Sequence, residues 1–168
     1  MRIAAGTAVY GKEAGAMKLA EALINRTDLQ RRLNDLEIRL NNNARVQEGE
    51  APAEDPMLLL SELMEVTQQL EDLVTRINLT NSQTIDGDDT LTGLLAQREI
   101  RGKELSILNG FLNSASELAH RASRSEIRIT STVDVSELRK QTNALSAELR
   151  ALDIRIQALN WTTELLDK

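Results

Sequence analysis

The sequence predicts an all-α protein, an elongated up-down-up-down bundle of four long helices with a short extended segment between helices three and four. Two observations predict this class. Apolar residues recur at alternating steps of three and four along most of the chain, the pattern of helices packed lengthwise. Apolar residues fill 41% of the 168 positions but aromatic residues only 2%, so the core must consist of Leu, Ile, Val and Ala. That composition favours helices over a β-sandwich.

The first two helices are delimited by turn and capping residues. The first begins at about Met17 and ends in the polar stretch NNNARVQEGEAPAED. Asp55 is expected to cap the second helix and Pro56 to open it, because the fixed φ of proline suits the first helical position. The core-facing positions are Leu19, Ala22, Arg26, Leu29, Leu33, Leu36 and Leu40 in the first helix, and Leu59, Leu63, Val66, Leu70, Leu73 and Ile77 in the second.

The last two helices follow a turn at DGDD, after which Thr90 is expected to cap the third. The stretch SEIRITSTVDV alternates apolar and polar residues, which predicts either a short strand or arm or a solvated crossover before the fourth helix. The core-facing positions are Leu91, Leu94, Arg98, Arg101, Leu105, Leu108, Leu112, Ala115 and Ala119 in the third helix, and Leu138, Thr142, Leu145, Leu149, Leu152, Ile156, Leu159, Thr163 and Leu166 in the fourth.

A second apolar stripe runs along the opposite side of the fourth helix. Its members are Ala144, Ala147, Ala151, Ile154, Ala158, Trp161 and Leu165. A helix that is apolar on two faces is buried on two faces, whereas a helix of a four-helix bundle buries only one. We therefore predict that this stripe is a subunit interface of a homo-oligomer, anchored by Trp161, the only tryptophan. The alternative is that residues 1–16 or 123–135 fold over it.

Three Asn-x-Thr units predict a polar cluster, since antiparallel helices would bring them to one end of the bundle. Arg26 and Arg98 occupy core-facing positions there and need anions or carbonyl groups, because an unpaired buried charge is costly. The cluster is either an internal polar layer that sets helix register or a site for an anion- or nucleotide-like ligand. Its candidate residues are Asn25, Arg26, Asn78, Thr80, Asn81, Arg98, Asn160 and Thr163.

One further pattern is typical of metal sites. Glu117 and His120 form an E-x-x-H unit, which a symmetry mate would have to complete because His120 is the only histidine. The other interpretation is a solvated histidine near a helix end. The sequence contains no phosphate-binding loop, nucleophile elbow or cysteine, so we predict no catalytic residue and no cofactor.

Charge and hydropathy restrict the partners and the location. A net charge of −6 argues against nucleic-acid binding, which needs a basic face. No apolar run approaches the roughly 20 residues of a membrane span. A chain without cysteine suits the reducing cytoplasm. We expect residues 1–16 to form a flexible leader and residues 17–168 a single helical-bundle domain.

Several segments of the sequence carry a family resemblance: MKLAEALINRTDLQRRL, NNNARVQEGEAPAEDP, RINLTN, SRSEIRI, TVDVSELRKQ and RIQALNWTTELL. Together they resemble a family of small bacterial helical proteins often labelled septicolysin, over residues 17–168. The resemblance implies a cytoplasmic-type helical protein of unestablished function. The label suggests a cholesterol-dependent cytolysin, but such toxins are large, β-rich and carry a Trp-rich segment with a cysteine. This chain has no cysteine and one tryptophan, so the toxin label does not describe it.

Overall fold

The computed structural model describes residues 16–117 and 130–167. Its elements are α1 (Leu19–Asn42), α2 (Pro56–Gln83), β1 (Ile85–Asp86), β2 (Asp89–Thr90), α3 (Leu91–Ser116) and α4 (Val135–Thr162). The predicted all-α class with four long helices is confirmed. Of the predicted extended segment, residues 130–134 form no strand, Val135 already belongs to α4, and residues 118–129 lie outside the described part of the chain.

Short polar side chains begin the helices where the sequence predicts. The carboxylate of Asp55 accepts a hydrogen bond from the backbone N–H of Met57 at 2.8 Å, and Pro56 opens α2. The hydroxyl of Thr90 accepts from the backbone N–H of Gly93 at 3.1 Å at the start of α3. Such caps satisfy amides that have no partner inside the helix. Both capping predictions are confirmed.

The chain divides into two compact units, and the described part of the first comprises residues 16–77 and 163–167. In this unit α1 packs on α2 through a core of Leu36, Leu59 and Val66, all nearly inaccessible to solvent. Partly buried leucines surround that core: Leu29, Leu33, Leu40 and Leu63. The burial is what holds the pair, because an isolated helix of this composition is only marginally stable in water.

Ion pairs run along the edge of the α1–α2 pair. Arg32 binds Glu62 at 2.6 Å, and Arg39 binds both Glu54 and Glu62. The hydrogen bond from the Arg39 guanidinium holds the pKa of the Glu54 carboxyl below its ordinary value of 4.5. These pairs join two helices whose own sequences carry uneven charge, since residues 46–75 contain no Lys or Arg.

The C-terminal residues return to the start of α1. The backbone N–H of Leu165 donates to the carbonyl of Met17 at 2.7 Å, and that of Leu19 donates to the carbonyl of Thr163 at 2.9 Å. Lys18 pairs with Glu164 at 3.3 Å across this short antiparallel bridge. Backbone hydrogen bonds and an ion pair therefore hold the last residues against the start of α1.

The second unit, Asn78–Thr162, contains the end of α2, the β1–β2 hairpin, α3 and α4. The two long helices run antiparallel, as the ion pairs Arg101–Glu148 at 3.0 Å and Arg98–Asp153 at 3.9 Å show. The predicted turn at DGDD is confirmed as the turn of the hairpin, which the sequence did not predict to be a pair of strands. Gly87 lies in that turn with φ +64°, a conformation that glycine adopts without steric cost.

One arginine joins the hairpin to α4. The guanidinium of Arg155 binds the carboxylate of Asp86 and donates to its backbone carbonyl at 2.6 Å, and it also pairs with Asp89 at 3.7 Å. The hydrogen bond to Asp86 is the main reason that the pKa of Arg155 is raised. The arginine thus ties the turn to the helix surface.

Candidate functional site

The side of α4 that does not face the core is apolar and open to solvent. Six of the seven predicted interface residues lie on it and are exposed: Ala144, Ala147, Ala151, Ile154, Ala158 and Trp161. We call these six residues the α4 outer face. Ile154 is 71% exposed and Trp161 is 59% exposed, although both are large apolar side chains. The inner side of the same helix carries Leu152 and Ile156, which are buried. The two sides of α4 are thus distinct in the structure.

Leu165 does not belong to this face, and that part of the prediction is wrong. The helix ends at Thr162, three residues earlier, and Leu165 is only 6% exposed. Its backbone N–H bonds to Met17, so the chain leaves the helical path and turns this leucine into the first unit. Thr163 and Leu166, predicted as core-facing helical positions, also lie beyond the helix.

Charged residues flank the α4 outer face, and one of its two flanks carries both an acidic and a basic residue. At helical spacing Glu148 and Arg155 lie along one flank, seven residues apart, and Arg150 and Gln157 lie along the other. Glu148 is paired with Arg101, and Arg155 with the hairpin. These intramolecular bonds hold the two flanking side chains in fixed positions beside the apolar residues.

The outward side of α3 also exposes large apolar side chains. Ile100, Ile107 and Phe111 are all exposed. Ile100 and Ile107 line a shallow hollow of about 270 Å³ together with Lys103 and Glu104. Two charged residues thus interrupt the apolar surface of α3, whereas the six positions of the α4 outer face are all apolar.

The predicted polar cluster is divided between the two units. In the first unit Asn25 is exposed and Thr163 is half-buried, its carbonyl bonded to Leu19. Arg26 is half-buried on α1, and its Nε atom is buried without a hydrogen-bond partner in the described residues. Arg26 therefore lies toward the protein interior, as its core-facing position predicts.

The other five candidates lie in the second unit. Thr80 and Asn160 are buried, Asn81 is half-buried and Asn78 is exposed. Arg98 pairs with Asp153, so its charge is matched by a carboxylate of the neighbouring helix. The ligand interpretation of this cluster gains no support from Arg98, because the arginine already has an anionic partner.

A cleft of about 990 Å³ lies in the first unit. Residues of α1 and α2 line it: Asn25, Asp28, Leu29, Arg32, Met64, Glu65, Gln68, Gln69, Asp72, Leu73 and Arg76. We call it the α1–α2 cleft. Sequence reasoning named only Asn25 of these as a binding residue. Glu65 and Asp72 of this lining belong to the stretch 46–75 without Lys or Arg, and that charge pattern did not indicate a cavity.

The possible metal unit lies at the edge of the described chain. Glu117 is exposed just after the end of α3, and His120 lies outside the described residues. Within residues 16–117 and 130–167, no group of three or more His, Cys, Asp or Glu side chains is placed to hold a metal ion. In the same residues, no helix has the length and apolar character needed to cross a membrane.

Comparisons with known proteins identify relatives without an assigned activity. The family described as "Family of unknown function (DUF6847)" matches residues 26–165. A crystal structure of a functionally unknown conserved protein from Corynebacterium diphtheriae matches with a TM-score of 0.84 and 42% sequence identity, covering 90% of this chain and 100% of that one. No curated protein matches the chain.

Proposed function

We propose that this chain, which belongs to the DUF6847 family of unknown function, is a non-enzymatic, self-assembling helical protein of the cytoplasm. Its role in this proposal is structural, scaffolding or partner-binding. The single observation that carries the proposal is the exposure of Ile154 and Trp161 on one face of one helix, 71% and 59% respectively. The resemblance to the septicolysin-labelled proteins and the lack of cysteine support a cytoplasmic location.

The α4 outer face has the properties of a helix-packing surface. Burying apolar surface releases about 25 cal/mol for each Å² removed from water, so two exposed large side chains favour association. The four alanines between and around them allow a second helix to approach closely. Aromatic anchors such as Trp161 contribute a large share of the binding energy in protein interfaces.

The electrostatics of the described residues support a structural role. Strongly perturbed pKa values often mark catalytic groups in clefts. Here the shifted groups are Arg39 and Glu54, which join α1 to the loop before α2, and Arg155, which joins α4 to the hairpin. Each is perturbed by a partner that holds the fold together. The net charge of −6 favours protein partners over nucleic acid.

The test of self-assembly is the native mass of a charged variant. Trp161→Glu combined with Ile154→Glu should convert a discrete oligomer into monomers, because each subunit then brings two carboxylates without partners into the interface. The matched control is Ile107→Glu on α3, where the isoleucine is 67% exposed. The control should keep the oligomer. An unchanged mass for the double variant, or a monomeric wild-type protein, would refute the proposal.

The α1–α2 cleft favours a second candidate function, the binding of a polar small molecule. Its volume of about 990 Å³ lies at the upper end of the range of roughly 300–1,000 Å³ for small-molecule sites. The amides of Gln68, Gln69 and Asn25 offer both donors and acceptors, and Leu29 and Leu73 add apolar surface to the lining. Such a lining fits a ligand with several hydroxyl or amino groups.

Native mass spectrometry of the purified protein also tests this second candidate. A ligand that copurifies adds mass to the chain, and the double variant Gln68→Ala and Gln69→Ala should lose it. Gln30→Ala is the control, since Gln30 is exposed on α1 and does not line the cleft. Wild-type protein of bare mass, or equal extra mass in all three proteins, would argue against the cleft as the site.

A further inference from the structure

We infer that the occupant of the α4 outer face is a second copy of this chain, bound antiparallel about a two-fold axis. This inference rests on the proposed self-assembly and specifies its geometry. The outer face is exposed along α4 from Ala144 to Trp161, a length of about 26 Å at 1.5 Å per residue. Two-fold pairing is the commonest symmetry of homo-oligomers, and it requires a surface that is complementary to itself.

The sizes of the side chains make the face self-complementary in the antiparallel orientation. Its residues alternate in steps of three and four, so two antiparallel copies meet in layers. Trp161 faces Ala144 of the partner subunit, Ile154 faces Ala151 of the partner subunit, and Ala147 faces Ala158 of the partner subunit. Every large side chain then meets a small one, and only the Ala147–Ala158 contact and its symmetry copy pair alanine with alanine, so no two bulky residues hold the helices apart.

A parallel two-fold pair does not fit in this way. Each residue then meets its own copy, so Trp161 opposes the partner's Trp161 and Ile154 opposes the partner's Ile154. The other four layers, at Ala144, Ala147, Ala151 and Ala158, oppose only alanines, whereas the antiparallel pair has two such layers. Bulky layers would hold the helices apart and leave the alanine layers unfilled, and voids of that kind destabilise packing.

The charges on the flanks favour the same orientation. In the antiparallel pair Glu148 lies opposite the partner's Arg155, and this contact adds to the bonds that Glu148 makes with Arg101 and Arg155 makes with the hairpin inside each subunit. The symmetry repeats the contact on the other side. On the second flank Arg150 lies opposite the partner's Gln157. In a parallel pair Arg150 would lie opposite the partner's Arg155, which places like charges together twice. Opposite charges across a helix pair select orientation through this difference.

Disulfide trapping tests the orientation directly, because the chain contains no cysteine. Two variants are made separately, Ala147→Cys and Ala158→Cys, both at exposed positions where a small side chain replaces a small one. One variant is labelled with ¹⁵N, the two are mixed and oxidised gently, and the masses of the intact products are measured by mass spectrometry. The mixture of Ala147→Cys with Ala151→Cys is the matched control, because those positions lie about two turns apart in the antiparallel layers.

The expected product is a disulfide between one Ala147→Cys chain and one Ala158→Cys chain, with little linkage within either of these two variants alone and little linkage between the two different variants of the control mixture. Disulfides require Cα atoms within about 7 Å, so only facing positions link. Efficient linkage of each variant to itself would indicate a parallel pair and overturn the orientation. A wild-type dimer whose variants form no disulfide would place the interface on another surface. A monomeric wild-type native mass would instead refute the self-assembly on which the inference rests.

Discussion

Ile154→Ala should weaken dimerisation of this protein by a few hundred-fold. The substitution removes three carbon groups from each subunit, each contributing about 0.8 kcal/mol on burial. Because 71% of the isoleucine is exposed in the free subunit, the substitution removes about 1.7 kcal/mol of burial free energy per subunit. A two-fold dimer contains the change twice, for a total of about 3.4 kcal/mol, and each 1.4 kcal/mol is a tenfold change in Kd.

The fluorescence of Trp161 reports this equilibrium. It is the only tryptophan of the chain, and it lies on the same face as Ile154. Its emission should move to shorter wavelength as the protein concentration rises through the Kd, because the indole passes from water into the interface. For Ile154→Ala the transition should occur at a concentration a few hundred-fold higher, with analytical ultracentrifugation confirming the masses.

The control variant removes the same atoms from another helix. Ile107→Ala on α3 deletes an isoleucine that is 67% exposed, and it should leave the transition unchanged. Both substitutions introduce alanine, the best helix former, so neither should unfold its helix. Equal effects of the two variants, or no effect of Ile154→Ala, would show that the α4 outer face is not the interface.

Three further predictions concern the fold. Leu36→Ala should lower the free energy of unfolding by roughly 2–5 kcal/mol because it leaves a cavity in the α1–α2 core. The control Ile38→Ala, at an exposed position on the same helix, should change it by no more than about 0.5 kcal/mol. Urea titrations followed by circular dichroism measure both values. Glu54→Gln should make the free energy of unfolding less dependent on pH below 4.5. The lowered pKa of Glu54 gives stability that is present above 4.5 and lost as the pH falls through that lowered pKa, when Arg39 loses one of its two charged partners. A variant whose acid titration matches that of the wild type would contradict this. Thr90→Ala should cost about 1 kcal/mol in the same urea titrations by removing the α3 cap, and an unchanged midpoint would argue against that cap.

The helices and their beginnings were predictable because their determinants are local. The repeat of apolar residues follows from 3.6 residues per turn, and a capping side chain bonds to amides two or three residues away. Asp55 and Thr90 therefore identified the starts of α2 and α3 from the sequence. The same periodicity predicted that Ile154 and Trp161 share a side of α4 away from its core-facing residues.

Interactions between distant residues were not predictable in the same way. The periodic pattern continues past Thr162 to Leu165, but the helix ends at Thr162, and the backbone of Leu165 pairs with Met17 instead. No local signal announces that partner, which is about 150 residues away in the sequence. The hairpin is a similar case, since its strands are only two residues long and Arg155 of α4 holds them.

The all-α class, the four helices and the apolar side of α4 follow from the sequence alone, because each depends on neighbours within one or two helical turns. Which of these features remain accessible to solvent depends on the folded chain. Folding withdrew Leu165 into the interior, matched Arg98 with Asp153, and opened a cleft between α1 and α2. Exposure, ion pairing and cavity shape depend on residues far apart in the chain, and only folding brings those residues together.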